Sequence, residues 1–220
     1  EQELFNFKIL GSRVSRGVKH SPPTSVEMAA APASVLAVSP LTRFNGKTPS
    51  GGFHRRRLAP PAIAMSSAAG RELHKEAWIE GGMTGFLRLI EAFHTQNEPA
   101  FCGLGTLVNV LNALEVDPGE VWKGAWRWYS ESMLSCCVDL DEVKQRGLTF
   151  DEWTCLAKCQ GLSLDVAVRA SESTPDAFRA VVRSACASTD KALCVAYSRR
   201  AVGQSGGGHY SPIGGYHAAQ

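Results

Sequence analysis

The chain has 220 residues, of which 44% are hydrophobic, and a formal net charge of +2. This length can bury the core of one domain, and no run approaches the roughly 18 apolar residues of a membrane-spanning helix. Residues 1–71 hold ten Lys/Arg against three Asp/Glu, whereas residues 72–220 hold thirteen against eighteen. The acidic second part argues against a nucleic-acid-binding domain. We therefore expect neither a nucleic acid nor a membrane as partner.

The first 65 residues are expected to lie outside the folded domain. The chain begins with Glu1, and no acidic residue occurs from Met28 to Arg71, a stretch rich in Ala, Ser and Pro that includes an arginine triplet at 55–57. This composition resembles an organelle transit peptide, but it is more typical of a disordered tail or translated leader. We predict a leader over 1–65 and a catalytic domain over 66–220, in the cytoplasm or, alternatively, a plastid.

Helical spacing of apolar residues predicts two helices, one over Phe86–Phe93 and one over Leu104–Leu114. Asn97-Glu98-Pro99 separates them, and Asp117-Pro118-Gly119 ends the second. Three tryptophans follow. We expect them to anchor a packed loop in the core rather than to stack on a substrate; they are Trp122, Trp126 and Trp128.

Short helices are predicted in the middle of the chain. One runs over Asp139–Arg146 and ends at Gly147. A capping box at residues 149–152 begins the next, which ends at Gly161. Alternating apolar residues over Leu162–Val168 then predict a half-buried strand.

The last part of the chain predicts a helix opened by Pro175, a strand over Leu193–Tyr197, and a glycine-rich turn that leads to His209 and a final strand. Helices come first and strands later, with no alternating βαβ pattern. The fold class is therefore α+β, with a helical first half and an antiparallel sheet in the second half.

Cys102 is a candidate nucleophile. It lies where a helix should begin, and the unpaired N–H groups there favour a thiolate and could stabilise an oxyanion. Gln96 could add a side-chain donor, and Gly103 leaves space beside the sulfur. His209, which follows Gly208 and two further glycines, is better placed as the base than His74, His94 or His217. On spacing alone, an ordinary buried cysteine and a turn histidine explain the pattern better than a catalytic pair does.

The seven cysteines form an odd number, and no secretory signal opens the chain, so we predict reduced thiols rather than a disulfide framework. Four of them could bind Zn²⁺ or Cd²⁺, but their spacing is not that of a zinc knuckle and also suits helix packing. Packing is the prediction, with metal ligation as the alternative; the four are Cys136, Cys137, Cys155 and Cys159.

Four segments in this order resemble the catalytic domain of phytochelatin synthase, a papain-like transpeptidase: TQNEPAFCGLGTL, NALEVDPGEVWKGAWRWYSESMLSCC, CLAKC and GGGHYSPIGGY. The resemblance runs from about residue 59 to residue 216. It implies a papain-like cysteine protease fold. It also implies Cys102 as nucleophile, Gln96 as oxyanion-hole side chain and His209 as general base.

The resemblance further implies the reaction. Cys102 would attack glutathione, release glycine and pass γ-Glu-Cys to a second glutathione, giving (γ-Glu-Cys)n-Gly in heavy-metal detoxification. No organic cofactor is implied, and Cd²⁺ or Zn²⁺ would arrive as a metal–glutathione thiolate. Arg199 matches a basic residue near the second substrate site of plant relatives; a solvated turn is the alternative. A homodimer is a further expectation.

The family's third triad member is an aspartate about eighteen residues after the histidine, which would lie beyond Gln220. We therefore expect the domain to be truncated at its C-terminus and this chain alone to be weak or inactive, because an unoriented histidine costs triad enzymes up to ~10⁴-fold in turnover. Two other functions stay open. One is a deglycinating hydrolase acting on glutathione or its conjugates, and the other is a non-catalytic thiol protein that buffers metal.

Overall fold

The computed structural model describes residues 5–12, 58 and 60–219. These residues belong to one compact unit, while a second unit, residues 14–57, lies outside the described part. The described helices are α1 (Ala68–Ile79), α2 (Phe86–Glu91), α3 (Cys102–Ala113), α4 (Leu140–Arg146), α5 (Phe150–Cys159) and α6 (Pro175–Cys186). The described strands are β1 (Phe5–Ser12), β2 (Leu162–Val168), β3 (Lys191–Ser198) and β4 (Gly208–Ile213).

The strands form one antiparallel sheet in the order β2-β1-β3-β4. Helices and this sheet together agree with the α+β expectation. The structure differs from the sequence analysis at β1, which comes from the segment assigned to a leader and pairs with both β2 and β3. Long-range pairing decides the place of a strand in a sheet, and local composition does not report it. The rest of the expected leader, up to residue 57, lies outside the described residues.

Local capping signals set the helix starts. Thr149 accepts from the Glu152 backbone N–H while the Glu152 side chain accepts from Thr149, the reciprocal capping box that the sequence predicted for α5. Asp139 caps α4 by accepting from the backbone N–H groups of Asp141 and Glu142, and Pro175 opens α6 in its first turn. Helix α1, capped by Ser67, was not predicted because its sequence carries no continuous apolar stripe.

The main core lies between α3, α5 and the sheet. Helix α3 is buried over almost its whole length, and Leu104, Leu107 and Leu111 have no exposed surface. Trp153 and Leu156 of α5 pack into the same cluster. Burying these side chains contributes roughly 1.5–3 kcal/mol each, so the position of the first turn of α3 is fixed by the core.

Trp153 links the start of α3 to β4. Its indole N–H donates to the carbonyl of Gly103 at 2.9 Å in a buried setting. Its ring stacks on Tyr210 of β4, with ring centroids 5.9 Å apart and planes 13° apart. Because Gly103 follows Cys102 and Tyr210 follows His209 in the chain, this one side chain contacts the neighbours of both candidate site residues.

The expectation that three tryptophans anchor the core is wrong. Trp122, Trp126 and Trp128 are 46%, 66% and 43% exposed. They lie in a loop closed by backbone hydrogen bonds, of which Trp122 N–H to Trp126 O is 2.9 Å long. Aromatic content predicted burial, but all three side chains of this loop are exposed.

The expectation of reduced thiols throughout is also not met. The structure pairs Cys136 with Cys159 and Cys137 with Cys155 as disulfides. Three cysteines are free, so an odd total is compatible with two disulfides; they are Cys102, Cys186 and Cys194. The pairing depends on α5 packing against the loop before α4, which the count of cysteines does not reveal.

The helices of the described part of the chain are all too short or too polar to cross a membrane.

Replacing Trp153 by Phe tests the link between α5 and α3. A smaller aromatic ring remains, but the Gly103 carbonyl loses its buried indole donor, so we expect the free energy of unfolding to fall by about 1–3 kcal/mol. Urea unfolding followed by circular dichroism measures this change. Trp126→Phe, at an exposed position, is the matched control and should change stability by less than about 0.5 kcal/mol. Equal effects of the two substitutions would contradict the assignment.

Candidate active site

A cavity of about 470 Å³ opens between α2, the start of α3 and β4. Its apolar lining comes mainly from Phe86, Leu89, Ile90 and Phe93. Polar and reactive residues line the same cavity: His94, Thr95, Gln96, Cys102, Thr106, Asn109, His209 and Ser211. Such a mixture, an apolar wall with a few convergent polar groups, is typical of small-molecule sites.

Cys102 is the first residue of α3 and lines this cavity as a half-buried free thiol. The N-cap, Phe101, makes no side-chain hydrogen bond to the helix. The first N–H groups of a helix lack intrahelical partners and form its positive end. A negative charge that develops near Cys102 is therefore stabilised by the start of α3.

Two glycines let other elements approach α3 closely. A Cβ on Gly103 would lie 2.9 Å from Leu148 Cδ1 and 3.3 Å from Trp153 Cδ1, so a larger residue would have to displace these side chains. The sequence analysis had assigned Gly103 to open space for a substrate, and the structure corrects that reason. Gly105 has the corresponding role on the cavity side, because its Cβ would lie 3.2 Å from Gln96 Cβ.

Gln96 lines the cavity, but its amide is engaged locally. Its Nε2 donates to the carbonyl oxygens of Glu98 at 2.7 Å and Pro99 at 2.9 Å. These contacts use both amide protons. The loop before α3 is therefore held in shape by Gln96, and the side chain must exchange one of these bonds to donate to a bound ligand.

Glu131 is a residue that the sequence analysis missed. It is 1% exposed, and its two carboxylate oxygens accept from the Asn97 backbone N–H at 3.0 and 3.3 Å. His94 Nε2 lies 3.2 Å from Glu131 Oε1, although not aligned as a hydrogen bond. This buried carboxylate ties the loop of Gln96 to the segment after the tryptophans. No local sequence pattern identifies Glu131, because Asn97 and His94 lie 34 and 37 positions before it in the chain.

His209 lies in β4, opposite Tyr197 of β3, and lines the same cavity as Cys102. Its Nδ1 is 2.9 Å from Arg199 Nη2, and Tyr197 contacts the ring edge-to-face at 5.6 Å. Arginine has donors only, so Nδ1 accepts and the proton of the neutral ring is on Nε2. Burial, and secondly the positive charge of Arg199, lower the pKa of His209 below its ordinary value.

The remaining candidates from the sequence lie elsewhere. Gly208 is exposed, with the Tyr197 carbonyl 4.0 Å from the position of a Cβ. His74 packs against Phe86, and His217 Nε2 lies 2.8 Å from Glu76 Oε2 rather than being merely exposed. The structure thus brings Cys102, Gln96 and His209 to one cavity and directs Arg199 to His209.

The family model and the known proteins to which this chain is similar agree with one another. Residues 53–220 match the family model described as phytochelatin synthase. Glutathione gamma-glutamylcysteinyltransferase 3 of Lotus japonicus is 50% identical over 170 residues, 77% of this chain and 35% of the relative. The corresponding protein 1 of Arabidopsis thaliana is 50% identical over 167 residues, which cover 76% and 34%.

A fungal protein is similar to this chain as well. Glutathione gamma-glutamylcysteinyltransferase of Schizosaccharomyces pombe is 42% identical over 164 residues, 74% of this chain and 39% of the relative. The matched part thus amounts to between a third and two fifths of the length of these curated relatives.

Glu131→Gln tests the buried carboxylate. The amide has only one acceptor oxygen, and its NH₂ group would lie against the Asn97 N–H, so we expect a loss of about 1–3 kcal/mol in the free energy of unfolding. Hydrogen exchange at the Asn97 amide should become faster. Glu115→Gln, at a 78% exposed side chain paired with Arg88, is the control and should change little. Unchanged protection of the Asn97 amide would contradict the role of Glu131.

Arg199→Gln tests the contact at His209. Removing the guanidinium should raise the pKa of His209, because the positive charge of Arg199 is the smaller of the two causes that lower this pKa. NMR titration of the imidazole measures the change. The pKa should stay below the ordinary value of 6.5, since burial remains the larger cause. Arg200→Gln is the matched control. It makes the same change of charge at the next residue but leaves the contact between Arg199 and His209 in place. The account fails if the two variants shift the pKa of His209 alike.

Proposed function

Since the chain belongs to the phytochelatin synthase family, we propose that it performs acyl transfer from glutathione through a γ-Glu-Cys thioester on Cys102. The observation that carries the proposal is that Cys102, at the first turn of α3, and His209, on β4, line one cavity. A papain-like architecture, in which a helix start carries the thiol and a strand carries the base, belongs to the same proposal. Under this proposal, the chain is part of an aminoacyltransferase of phytochelatin biosynthesis.

The first step forms the acyl-enzyme. The Cys102 sulfur bonds to the carbonyl carbon of the Cys–Gly peptide bond, and the C–N bond to glycine breaks. His209 takes the thiol proton and delivers it to the amine of the departing glycine. The oxyanion of the tetrahedral intermediate faces the start of α3, where backbone N–H groups and, after exchange of one local bond, the Gln96 amide can donate.

The second step releases the product. The α-amine of another glutathione attacks the thioester, its proton passes to His209, and the sulfur leaves as thiolate and is reprotonated. The product is (γ-Glu-Cys)2-Gly, and repetition lengthens it. Cd²⁺ or Zn²⁺ enters as substrate, in the form of a metal–glutathione thiolate. Interception of the thioester by water instead would give γ-Glu-Cys and make the protein a hydrolase.

Arg199 connects substrate binding to the state of the base. While Arg199 donates to His209 Nδ1, the ring proton is on Nε2, and that nitrogen has no lone pair for the thiol proton. A glutathione carboxylate is a stronger partner for guanidinium than a neutral imidazole. Binding of that carboxylate would draw Arg199 away and free Nδ1 for the proton. The aspartate expected beyond Gln220 would then hold this tautomer.

Cys102→Ser tests the proposed chemistry. The chain is incubated with glutathione and Cd²⁺, and (γ-Glu-Cys)2-Gly, γ-Glu-Cys and glycine are measured by mass. We expect the variant to lose at least about 10³-fold of any product formation, as in enzymes that lose their nucleophile. Cys186→Ala, which removes a buried thiol outside the cavity, is the matched control and should retain the rate.

The products separate the candidate functions. (γ-Glu-Cys)2-Gly supports the transferase, whereas γ-Glu-Cys alone supports the hydrolase. Equal product formation by Cys102→Ser and the parent chain would contradict both. Metal buffering without any product, unchanged in Cys102→Ser, would support the non-catalytic alternative.

A further inference from the structure

The loop between α2 and α3 carries two half-buried side chains that line the cavity, His94 and Gln96. Exposed residues alternate with them in the sequence; these are Phe93, Thr95 and Asn97. The alternation is that of an extended chain, in which side chains two positions apart lie on the same side. His94 and Gln96 therefore share the inner side of this loop.

The buried carboxylate of Glu131 reaches the loop on both sides of Gln96. Its Oε2 accepts from the Asn97 backbone N–H at 3.0 Å, and its Oε1 lies 3.2 Å from His94 Nε2. A Cβ on Gly105 would lie 3.3 Å from the same Oε1 and 3.2 Å from Gln96 Cβ. The carboxylate and the glutamine thus both lie against the first turns of α3.

His94 Nε2 is a buried nitrogen without a hydrogen-bond partner, although Glu131 Oε1 is within reach. Buried polar atoms are almost always paired, and a carboxylate is the strongest acceptor that a ring N–H can meet. Among the residues that the structure describes, no Lys or Arg forms an ion pair with Glu131. A small turn of the imidazole is enough to align its Nε2 with the carboxylate.

The amide of Gln96 also has to change its partners before it can act on a substrate. Both of its protons are donated to carbonyl oxygens of the same loop, those of Glu98 and Pro99. The unaligned histidine and the locally bonded amide lie two residues apart. One shift of the loop that frees a Gln96 N–H therefore also changes the angle at His94 Nε2.

We propose that His94 is a positioning residue for Gln96: its Nε2–H donates to Glu131 in the arrangement in which Gln96 turns one N–H toward the bound substrate. The bond to the carboxylate is charge-assisted, so it offsets the local bond that the amide gives up. His94 contacts no reacting atom in this role. The inference rests on the proposed function, because Gln96 is the oxyanion donor there.

The ends of the segment that moves are fixed by α3 and by the carboxylate. Asn109 Nδ2, on α3, donates to the carbonyl of Leu89 at 3.0 Å and to that of Ala92. The Asn97 N–H is held by its own bond to the carboxylate. The movement is therefore confined to the few residues between Ala92 and Asn97, which include both members of the proposed pair.

Two amide side chains at position 94 test whether a donor at Nε2 is what matters. The Nε2 of glutamine is as many bonds from Cα as the Nε2 of histidine, so His94→Gln keeps a donor within reach of Glu131. Asparagine carries the same amide one bond closer to the backbone, so His94→Asn loses that reach. This pair separates the proposed bond from a general need for a polar residue.

The kinetic test measures product formation from glutathione and Cd²⁺. Loss of an oxyanion donor costs about 10²–10³-fold in kcat, so its misplacement in His94→Asn should lower kcat about tenfold, with KM within about twofold. His94→Gln should stay within about threefold of the parent chain. His217→Asn is the matched control, because it removes an imidazole that is paired with Glu76 on α1 instead. Equal kcat values for His94→Gln and His94→Asn would overturn the proposal.

A double variant shows whether His94 acts through Gln96. In the Gln96→Ala chain there is no amide to position, so adding His94→Asn should lower kcat no further. A second fall of about tenfold in the double variant would show that the two residues act separately, and it would overturn the proposal.

NMR of the imidazole tests the bond without turnover. In the free chain at mildly alkaline pH, the ring nitrogens of His94 should show the proton on Nε2. Saturating Cys102→Ser with glutathione should make this proton exchange more slowly with water, and adding Glu131→Gln should abolish that protection. A ring proton on Nδ1, or an exchange rate that glutathione binding leaves unchanged, would overturn the proposal.

The two failures can be told apart. A chain that binds no glutathione contradicts the proposed function, whereas the position of the His94 ring proton in the free chain still decides on the bond to Glu131. A chain that transfers the acyl group while His94 carries its proton on Nδ1 would keep the proposed function and overturn this inference.

Discussion

The contact on which the candidate site depends most is the buried hydrogen bond from the Trp153 indole to the Gly103 carbonyl. At 2.9 Å it attaches α5 to the first turn of α3, while the same ring stacks on Tyr210 of β4. A helix start that carries a thiol and a strand that carries a histidine are thereby held by one side chain. Glycine at position 103 suits this contact, since Trp153 and Leu148 side-chain atoms lie 3.3 and 2.9 Å from where a Cβ would stand.

Elements with strong local signals were predictable from the sequence. The capping box at Thr149 and the apolar stripe of α3 satisfy backbone and burial requirements within a few residues, so the pattern alone is sufficient. Strand β1 was not predictable, since its pairing with β2 and β3 joins positions 150 or more residues apart. The exposed Trp126 and the two disulfides were missed for the same reason, because tertiary contacts decide both.

The site was predictable to a similar extent. Resemblance to a family identified Cys102, Gln96 and His209 as a set, and the cavity contains all three. The residues that contact this set could be identified only from the structure. Arg199 on His209 Nδ1 and Glu131 on the Asn97 N–H are contacts across the fold that carry no sequence motif. They bear on the proposed chemistry, because the first sets the tautomer of His209 and the second holds the loop that carries Gln96.

Locating the acyl group on the chain tests the central claim most directly. Protein incubated with glutathione is quenched in acid, digested at low pH and mapped by mass spectrometry. The account predicts a γ-glutamylcysteinyl group on the peptide that contains Cys102, and its loss in His209→Ala. An adduct on another of the seven cysteines, or product formation with no adduct at Cys102, would contradict it.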